Sequence, residues 1–590
     1  MPSVSDLICI SLFVSLTLGL ARRLLGDAGI GWHIRTGEWI LRTGSVPRVD
    51  SFSSRMSGKP WYAWEWLYEA GIGAIHRGLG LNGVVAFSAL AIAFTFALVF
   101  RMMRERGTSL PIAVAVLLLA VSASSIHFLA RPHIVSWLLT VIWFGMLETF
   151  ERDGKARCLL WLPLTMLAWV NLHGGFLVGF VLLGVYGIGA AVRGWRTARD
   201  WRGVRALGSA AAAALALTFV NPYGYQLHIH IYRYLGDRFL MNHINEFLSP
   251  DFHGMAQKCF AAILLLAFAG AAATRKLSAS QLLVVAFAVY SGLYSARNIP
   301  VSSMLMALLI APQLSALVDE GAGNQGMPDM VRRGLGRLHD FGERMGALDA
   351  SRRGHAWVIV VVLAGLWVCA HGGRLGSRQV VDAGFDGKRF PIEAVDFLSR
   401  SEIREPVFCP DYWGGYLIFR LYPQMQVVVD DRHDLYGPDF LKNYLKVMHV
   451  QPGWEEALKG MGANWVLIPT KSPLANLLKE VAEWKIVYSD DGAVLFRRSN
   501  SYPGLHSLRK IFALYREPLP AHCLSDAVAQ RYGRACAERS RRESAVHRME
   551  HYHGRGTMGS TYQSVLMLKP RMALTSTGSF PRKAGVNFQV

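Results

Sequence analysis

Apolar residues come in long runs through the first 370 positions and then give way to a mixed pattern. A helix needs about 20 mostly apolar residues to cross the ~30 Å hydrocarbon core of a bilayer. Eleven runs come close: 5–21, 82–100, 110–130, 133–150, 158–172, 174–192, 207–221, 258–273, 278–294, 299–318 and 355–370. The pattern predicts a mainly α, polytopic membrane protein of about 11 transmembrane helices over 1–370. The first run is expected to be an uncleaved anchor, because its leader, MPSVSD, carries no positive charge.

Beyond 371 the periods shorten. PIEAVDFLSRSE (391–402), the stretches 438–449 and 453–462, and SPLANLLKEVAE read as helices. REPVFCP, QVVVDD (426–431), NWVLIPT (464–470), WKIVYSD and GAVLFRR read as strands. Alternating strands and helices predict a small α/β domain with a partly parallel sheet over 371–499. Residues 500–590 are basic, rich in Arg, His, Ser and Gly, and lack apolar periodicity, which predicts a disordered tail.

Composition agrees with the runs. The 590 residues are 52% apolar and 18% charged, against about 45–50% and roughly 25% in soluble chains. The net charge of +20 would suit nucleic acid, but Lys and Arg crowd into alternate short loops. Arg101, Arg104 and Arg106, then Arg152, Lys155 and Arg157, then the run Arg193 to Arg205, mark those loops as cytoplasmic. Arg22 and Arg23 alone oppose this orientation. No nucleic-acid partner is expected. The first loop (22–80), segment 222–257 and everything after 371 then face outward. Among seven cysteines there is no CxxC, and only Cys409, Cys523 and Cys536 lie where a disulfide is plausible.

Polar groups at the ends of apolar spans are expensive and invite a functional reading. On the outward side stand Asp27 and His33, Asp50, Glu65 and Glu69 in KPWYAWEWLYEAG, and Arg131 and His133 in ARPH. Asn171 and His173 follow in VNLHGGF, Asn221 and Tyr223 in VNPYG, Glu246 in HINEFLSP, and Arg297 and Asn298 in SARNIP. Each also has a plain reading. Asp27 would cap the next helix, and His33 would be an ordinary surface histidine. Glu65 and Glu69 would share a solvated helix face, with Trp61, Trp64, Trp66 and Tyr68 as an interfacial belt. His173 and Arg297 resist such readings, since a tight turn between spans gains nothing from a titratable side chain. Transfer of a sugar from a lipid phosphate needs a carboxylate base and cationic groups for the departing phosphate. Asp27 and Glu65 are the candidate catalytic groups. His33, Glu69, Arg131, His133, His173, Asn221, Tyr223, Glu246, Arg297 and Asn298 are the candidate substrate-binding groups. No Walker loop or HExxH points to an ATPase or a protease.

In their order, the acidic residue after the first span, VPRVDSFS, PWYAWEWLYEA, HGGF, NPYG…NEFLSP, ARNIP, DYWGGYL and VVVDDRHDLYG resemble the GT-C-fold glycosyltransferases. That group contains protein O-mannosyltransferases and lipid A aminoarabinose transferases, and the likeness covers roughly 1–499. The resemblance implies an inverting membrane glycosyltransferase of the bacterial inner membrane, with the C-terminal domain extracytoplasmic. Its donor would be a polyprenyl-phosphate sugar, and its acceptor an envelope glycan, lipid or protein. Asp27 would be the base or the acceptor-orienting group. Relatives commonly carry a second acidic residue directly after this Asp, where this chain has Ala28; Glu65 or Glu69 would have to compensate. No cofactor and no metal site is expected, although some members use a divalent ion that Asp27 with Glu65 or Glu69 would hold. Near 430 the charges fit either a docking cluster around Arg432 or acceptor recognition. Two other functions compete: a lipid-linked sugar flippase, and an inactive scaffold in envelope polysaccharide assembly. Asp27, Glu65, His173 and Arg297 are expected to line one cavity, with Asp27 within about 10 Å of His173 or Arg297, the span of a bound phosphosugar.

Overall fold

Every predicted apolar run falls on a helix in the computed structural model, which describes residues 1–196, 201–271, 277–352 and 354–499. The predicted tail, with Cys523 and Cys536, lies outside the described residues. Among the described residues five helices are long and apolar enough to cross a membrane: Trp66–Glu105, Leu110–His127, His133–Asp153, Gly174–Arg196 and Ala296–Gly323. Shorter apolar helices lie at Val4–Gly19, Ala156–Leu172, Met255–Ala271, Ala279–Tyr294 and Ala356–Ala370. The run at 207–221 falls on the helix Arg202–Thr218.

Local sequence explains the element ends. Ser3 and Asp6 form a reciprocal capping box at the first helix. Proline stands in the first two positions of three helices, where its missing N–H costs nothing. Gly44, in the left-handed region (φ 67°), closes the helix Gly29–Thr43, its N–H bonding to Ile40 O. Polarity runs opposite to a soluble bundle. Leu118, Phe268 and Leu363 are exposed, while Ser88, Thr95, Ser136 and Thr140 are buried between helices. Small polar residues at helix contacts and apolar residues outside are what a lipid solvent selects.

Following the first helix, a π-turn (Ser15–Gly19) and a short helix (Ala21–Leu24) lead to the first-loop helix Gly29–Thr43. The helix Trp66–Glu105 is broken by Gly80 (φ 61°), which separates a first-loop segment from the span proper. The solvated face expected before that span is corrected: Glu65 and Glu69 are buried, as are Trp61 and Tyr68 of the expected belt, whose Tyr62, Trp64 and Trp66 are partly exposed. The buried four pack inward because the first-loop helix lies across them.

The C-terminal segment opens with a small hairpin, β1 (Arg374–Leu375) with β2 (Arg378–Gln379). Its main sheet has the order β3-β4-β6-β5, from Val407–Phe408, Trp465–Pro469, Ala493–Arg498 and Trp484–Ser489. β3 and β4 are parallel, with Val407 opposite Trp465, and the other pairings are antiparallel. The expected strand at 426–431 does not form. Val427 alone bridges, to Ser53 of the first loop and to Val407. The chain then turns where Asp430 Oδ1 accepts the Arg432 N–H at 2.9 Å. Cys409 is a buried free thiol.

The first-loop helix is held by glycine contacts on two sides. A Cβ on Gly31 would strike the Gly415 backbone of the helix Asp411–Leu421, and one on Gly37 would strike the Glu69 backbone. Gly31→Ala should therefore force these helices apart at a cost of about 1–3 kcal/mol. A lowered midpoint in tryptophan-monitored thermal unfolding checks this; an unchanged midpoint contradicts it.

Candidate functional site

Asp27 sits between the short helix Ala21–Leu24 and the first-loop helix. Its Oδ1 accepts the Gly29 N–H at 2.7 Å, an Asx turn that starts the first-loop helix. The capping role expected of Asp27 is thus part of its work. Its other oxygen faces Arg131 at 3.3 Å. Arg131 also reaches Asp431 Oδ2 at 3.4 Å, and Trp32 Nε1 donates to Asp431 Oδ1 at 3.0 Å. The ARPH turn is pinned by the Ala130 N–H on Leu24 O at 2.7 Å. Gly29 is required here, since a Cβ would lie 2.6 Å from Asp431 Oδ2 and 3.1 Å from Arg131. Burial and then the charge of Asp27 raise Asp431 above the ordinary carboxylate range.

A second group surrounds Glu65, at the head of the helix Trp66–Glu105. Its carboxyl stands 3.6 Å from His33 Nε2 and 3.5 Å from His173 Nε2. Burial outweighs the pull of Arg131 and Arg297 and pushes Glu65 up to about 8. The His173 tautomer follows from its neighbours. Ser136 Oγ accepts the Trp169 N–H at 2.7 Å, so its own hydrogen points to His173 Nδ1, 2.7 Å away. Gly175 N–H also donates to Nδ1, at 3.0 Å. The hydrogen of His173 is therefore on Nε2, facing Glu65. Burial, Arg297 and Arg131 push this imidazole down to about 3, so it is neutral. His33, lowered by burial, has its Nδ1 3.1 Å from Glu69 Oε1, and burial raises Glu69 well above the ordinary carboxylate range.

Arg297 pairs with Glu246 and lies over the Phe247 ring, 5.3 Å from its centre. Burial opposes ionisation of Glu246, but Arg297 and Arg131 overcome it and hold the group at about 2. Arg432 is saturated. It reaches Asp430 and Asp50 at 2.7 Å each and lies 4.7 Å from the Trp61 ring centre. It docks the C-terminal segment onto the first loop, the first of its two sequence readings.

Three cavities meet at this end of the bundle. A polar cavity of about 80 Å³ is lined by His33, Glu65, Glu69, Arg131, His133, His173, Glu246, Arg297 and Asp431, among others. An apolar cavity of about 250 Å³ shares Glu65, His173 and Arg297 and continues along Ile231, Leu235, Met241, Phe247 and Tyr294. A third, of about 320 Å³, contains Asp27 and Asp431. The expected single cavity is thus corrected: Glu65, His173 and Arg297 share one, and Asp27 lines the next, behind Arg131. Asn298 lines the apolar cavity and donates to Ser291 O at 3.2 Å. Asn221 and Tyr223 line none of the three. Asn221 closes its own turn on Thr218 O and Gly224 O, and Tyr223 Oη ties Ala63 N–H to Pro47 O at 2.8 Å each.

Sequence reasoning set Asp431 in the charged cluster near 430, with docking and acceptor recognition as its two readings, but did not set it beside Asp27, and it did not single out His433, Lys388 or Arg389. The signal for Asp431 was an acidic pair directly after three buried valines. A divalent ion shared by Asp27 and Glu65 or Glu69 does not fit, because these carboxylates line different cavities and a guanidinium faces Asp27. Among the described residues no group of three or more His, Cys, Asp or Glu is arranged to hold a metal ion.

Neither a protein-family model nor a curated protein matches the chain. Among solved structures it is similar to the oligosaccharyltransferase of Archaeoglobus fulgidus, seen tethered to an acceptor peptide. That match has 12% identity and a TM-score of 0.49, over 85% of this chain and 74% of the other. It is also similar to ArnT from Cupriavidus metallidurans bound to undecaprenyl phosphate, with 14% identity and a TM-score of 0.44 over 84% and 98%. At these identities and TM-scores the chemistry has to be read from the residues themselves.

The raised Glu65 sets a pH dependence. In the unfolded chain the group ionises near 4.5, and in the folded chain near 8. Folding therefore binds a proton between these values, and stability falls as pH rises from 4.5 to 8. Glu65→Gln removes that penalty. Its melting midpoint relative to wild type should rise steadily from pH 5 to pH 8; a pH-independent difference would contradict the assignment.

Proposed function

We propose that this chain is a membrane glycosyltransferase that moves a sugar from a polyprenyl-phosphate donor to an envelope acceptor at the outer face of the inner membrane. One observation carries the reading: a buried pocket holding Arg131, Arg297, His173 and Glu65 shares its walls with an apolar cavity at the same end of the helices. A phosphate on an apolar chain is the ligand such a pair accommodates, the head among cationic donors and the tail along Leu235, Met241 and Phe247. The arginine-rich loops lie at other helix ends, where Arg106 meets Glu148 at 3.3 Å and Arg193 meets Glu151 at 2.7 Å. The positive-inside rule makes those ends cytoplasmic.

In this reading the donor phosphate draws Arg131 away from Asp27. The freed carboxylate takes the proton of an acceptor hydroxyl held in the Asp27 cavity. The acceptor oxygen then attacks the sugar C1 from the side opposite the phosphate, the C1–O bond to phosphate breaks, and the configuration inverts. The bonding pair leaves on the polyprenyl phosphate, where Arg131 and Arg297 meet its charge. Glu65, protonated at neutral pH, and the Nε2–H of His173 donate hydrogen bonds to its oxygens.

Transfer from a radiolabelled polyprenyl-phosphate sugar in membranes tests the reading. Asp27→Asn should lower the rate by about 10²-fold or more, the usual worth of a positioned base. Arg297→Ala should weaken donor use, with Glu246 left unpaired. Transfer undiminished in Asp27→Asn would remove Asp27 from the mechanism. Movement of intact sugar lipid across vesicles without transfer would replace the enzyme by a flippase, and neither activity would leave a scaffold.

A further inference from the structure

The cavity that holds Asp27 is asymmetric in charge. Its floor is acidic, with Asp27 and Asp431 sharing the single guanidinium of Arg131. Its rim is basic, with Lys388 and Arg389 both exposed and each lining the cavity. Their side chains make no ion pair among the described residues. Between floor and rim lie the rings of Phe390, Tyr412 and Trp413. Trp413 is fixed by its Nε1–H on Arg389 O at 2.7 Å, so ring and rim are positioned together. Beside Gly26 and Ala28, the wall includes Pro469, at the end of β4, and Gly492, in the turn before β6. The cavity therefore opens beyond the carboxyl ends of the parallel pair β3 and β4, where ligands of α/β sheets bind.

We propose that this cavity binds the acceptor, and that the acceptor is an anionic saccharide bearing a carboxylate or phosphate. The inference rests on the transferase reading for its placement beside Asp27 and adds the substrate class. At about 320 Å³ the cavity takes one or two sugar rings, within the range of small-molecule sites. Aromatic rings suit the apolar faces of a sugar. A hydroxyl turned toward Asp27 meets the base, and an acidic substituent turned outward meets Lys388 and Arg389. A neutral sugar would leave both cations without a partner, and a cationic one would be repelled by them.

The test uses detergent-purified full chain and two probes of equal length: a hyaluronan tetrasaccharide, which carries carboxylates, and the neutral chitotetraose. Titration calorimetry should show the anionic probe binding at least about tenfold more tightly, with the preference fading as salt rises. Lys388→Gln/Arg389→Gln should erase the preference without shifting the thermal midpoint, since both side chains are exposed. Asp27→Asn should retain it while losing transfer. Equal affinity for the two probes in wild type, or a preference that survives the double substitution, overturns the proposal. Transfer that is detected but unaffected by the double substitution also overturns it and leaves the transferase reading standing. A charge preference without transfer from any polyprenyl-phosphate donor keeps the anionic site and removes the transferase reading.

Discussion

The close packing of one short helix governs the rest of this structure. Gly29–Thr43 lies against two other helices with no side chain between them at Gly31 and Gly37. Close approach of this kind is available only where Cβ is absent. It brings Asp27, just before the helix, and Trp32 and His33, from its first turns, to three different partners. Asp27 meets Arg131, Trp32 meets Asp431, and His33 meets Glu69. Larger residues at those two positions would separate the first loop from both the bundle and the C-terminal segment.

Burying so many charges is tolerable only if each is compensated, and the manner of compensation separates two arginines. Arg432 has a carboxylate on either side at 2.7 Å and three aromatic rings around it. Removing a partner from such a group leaves a buried charge, which typically costs 3–5 kcal/mol. That arginine is fastened. Arg131 has carboxylates at 3.3 and 3.4 Å and lines a cavity. Longer contacts and an open side leave Arg131 the less tightly held of the two. Arg297, at the border of the polar and apolar cavities, is closely paired with Glu246.

Much of this was legible in the chain because the cost of polarity near lipid is local. Each apolar run announced its own helix, and His173 and Arg297 stood out as titratable or charged groups in tight turns, although the His173 ring also caps its own turn through the Gly175 N–H. Contacts made by distant segments were less visible. Asn221 closes the NPYG turn locally, the plain reading of that motif, whereas the ties of Tyr223 to Pro47 and Ala63 join positions far away in sequence. Residues 426–431 have the composition of a strand, but the first loop occupies the pairing position at Val427. Glu65 and Glu69 have the spacing of a solvated face, and only the helix laid over them makes them buried.

The alanine after Asp27 is the most instructive case. The resemblance leads one to expect a second acidic group there, and Glu65 and Glu69 were the available substitutes by sequence. Neither reaches Asp27's cavity. The carboxylate that stands next to Asp27 comes instead from Asp431, about four hundred positions later, held by Trp32 and sharing Arg131. An adjacent acid at position 28 would be tied to Asp27 by the backbone. An acid delivered by the C-terminal segment is present only when that segment is docked through Arg432, Asp50 and Asp430. The electrostatics around Asp27 then depend on docking: with Asp431 in place, one guanidinium serves two carboxylates and neither is fully neutralised. The same segment carries Lys388 and Arg389, so docking assembles the acidic floor and the basic rim in one event.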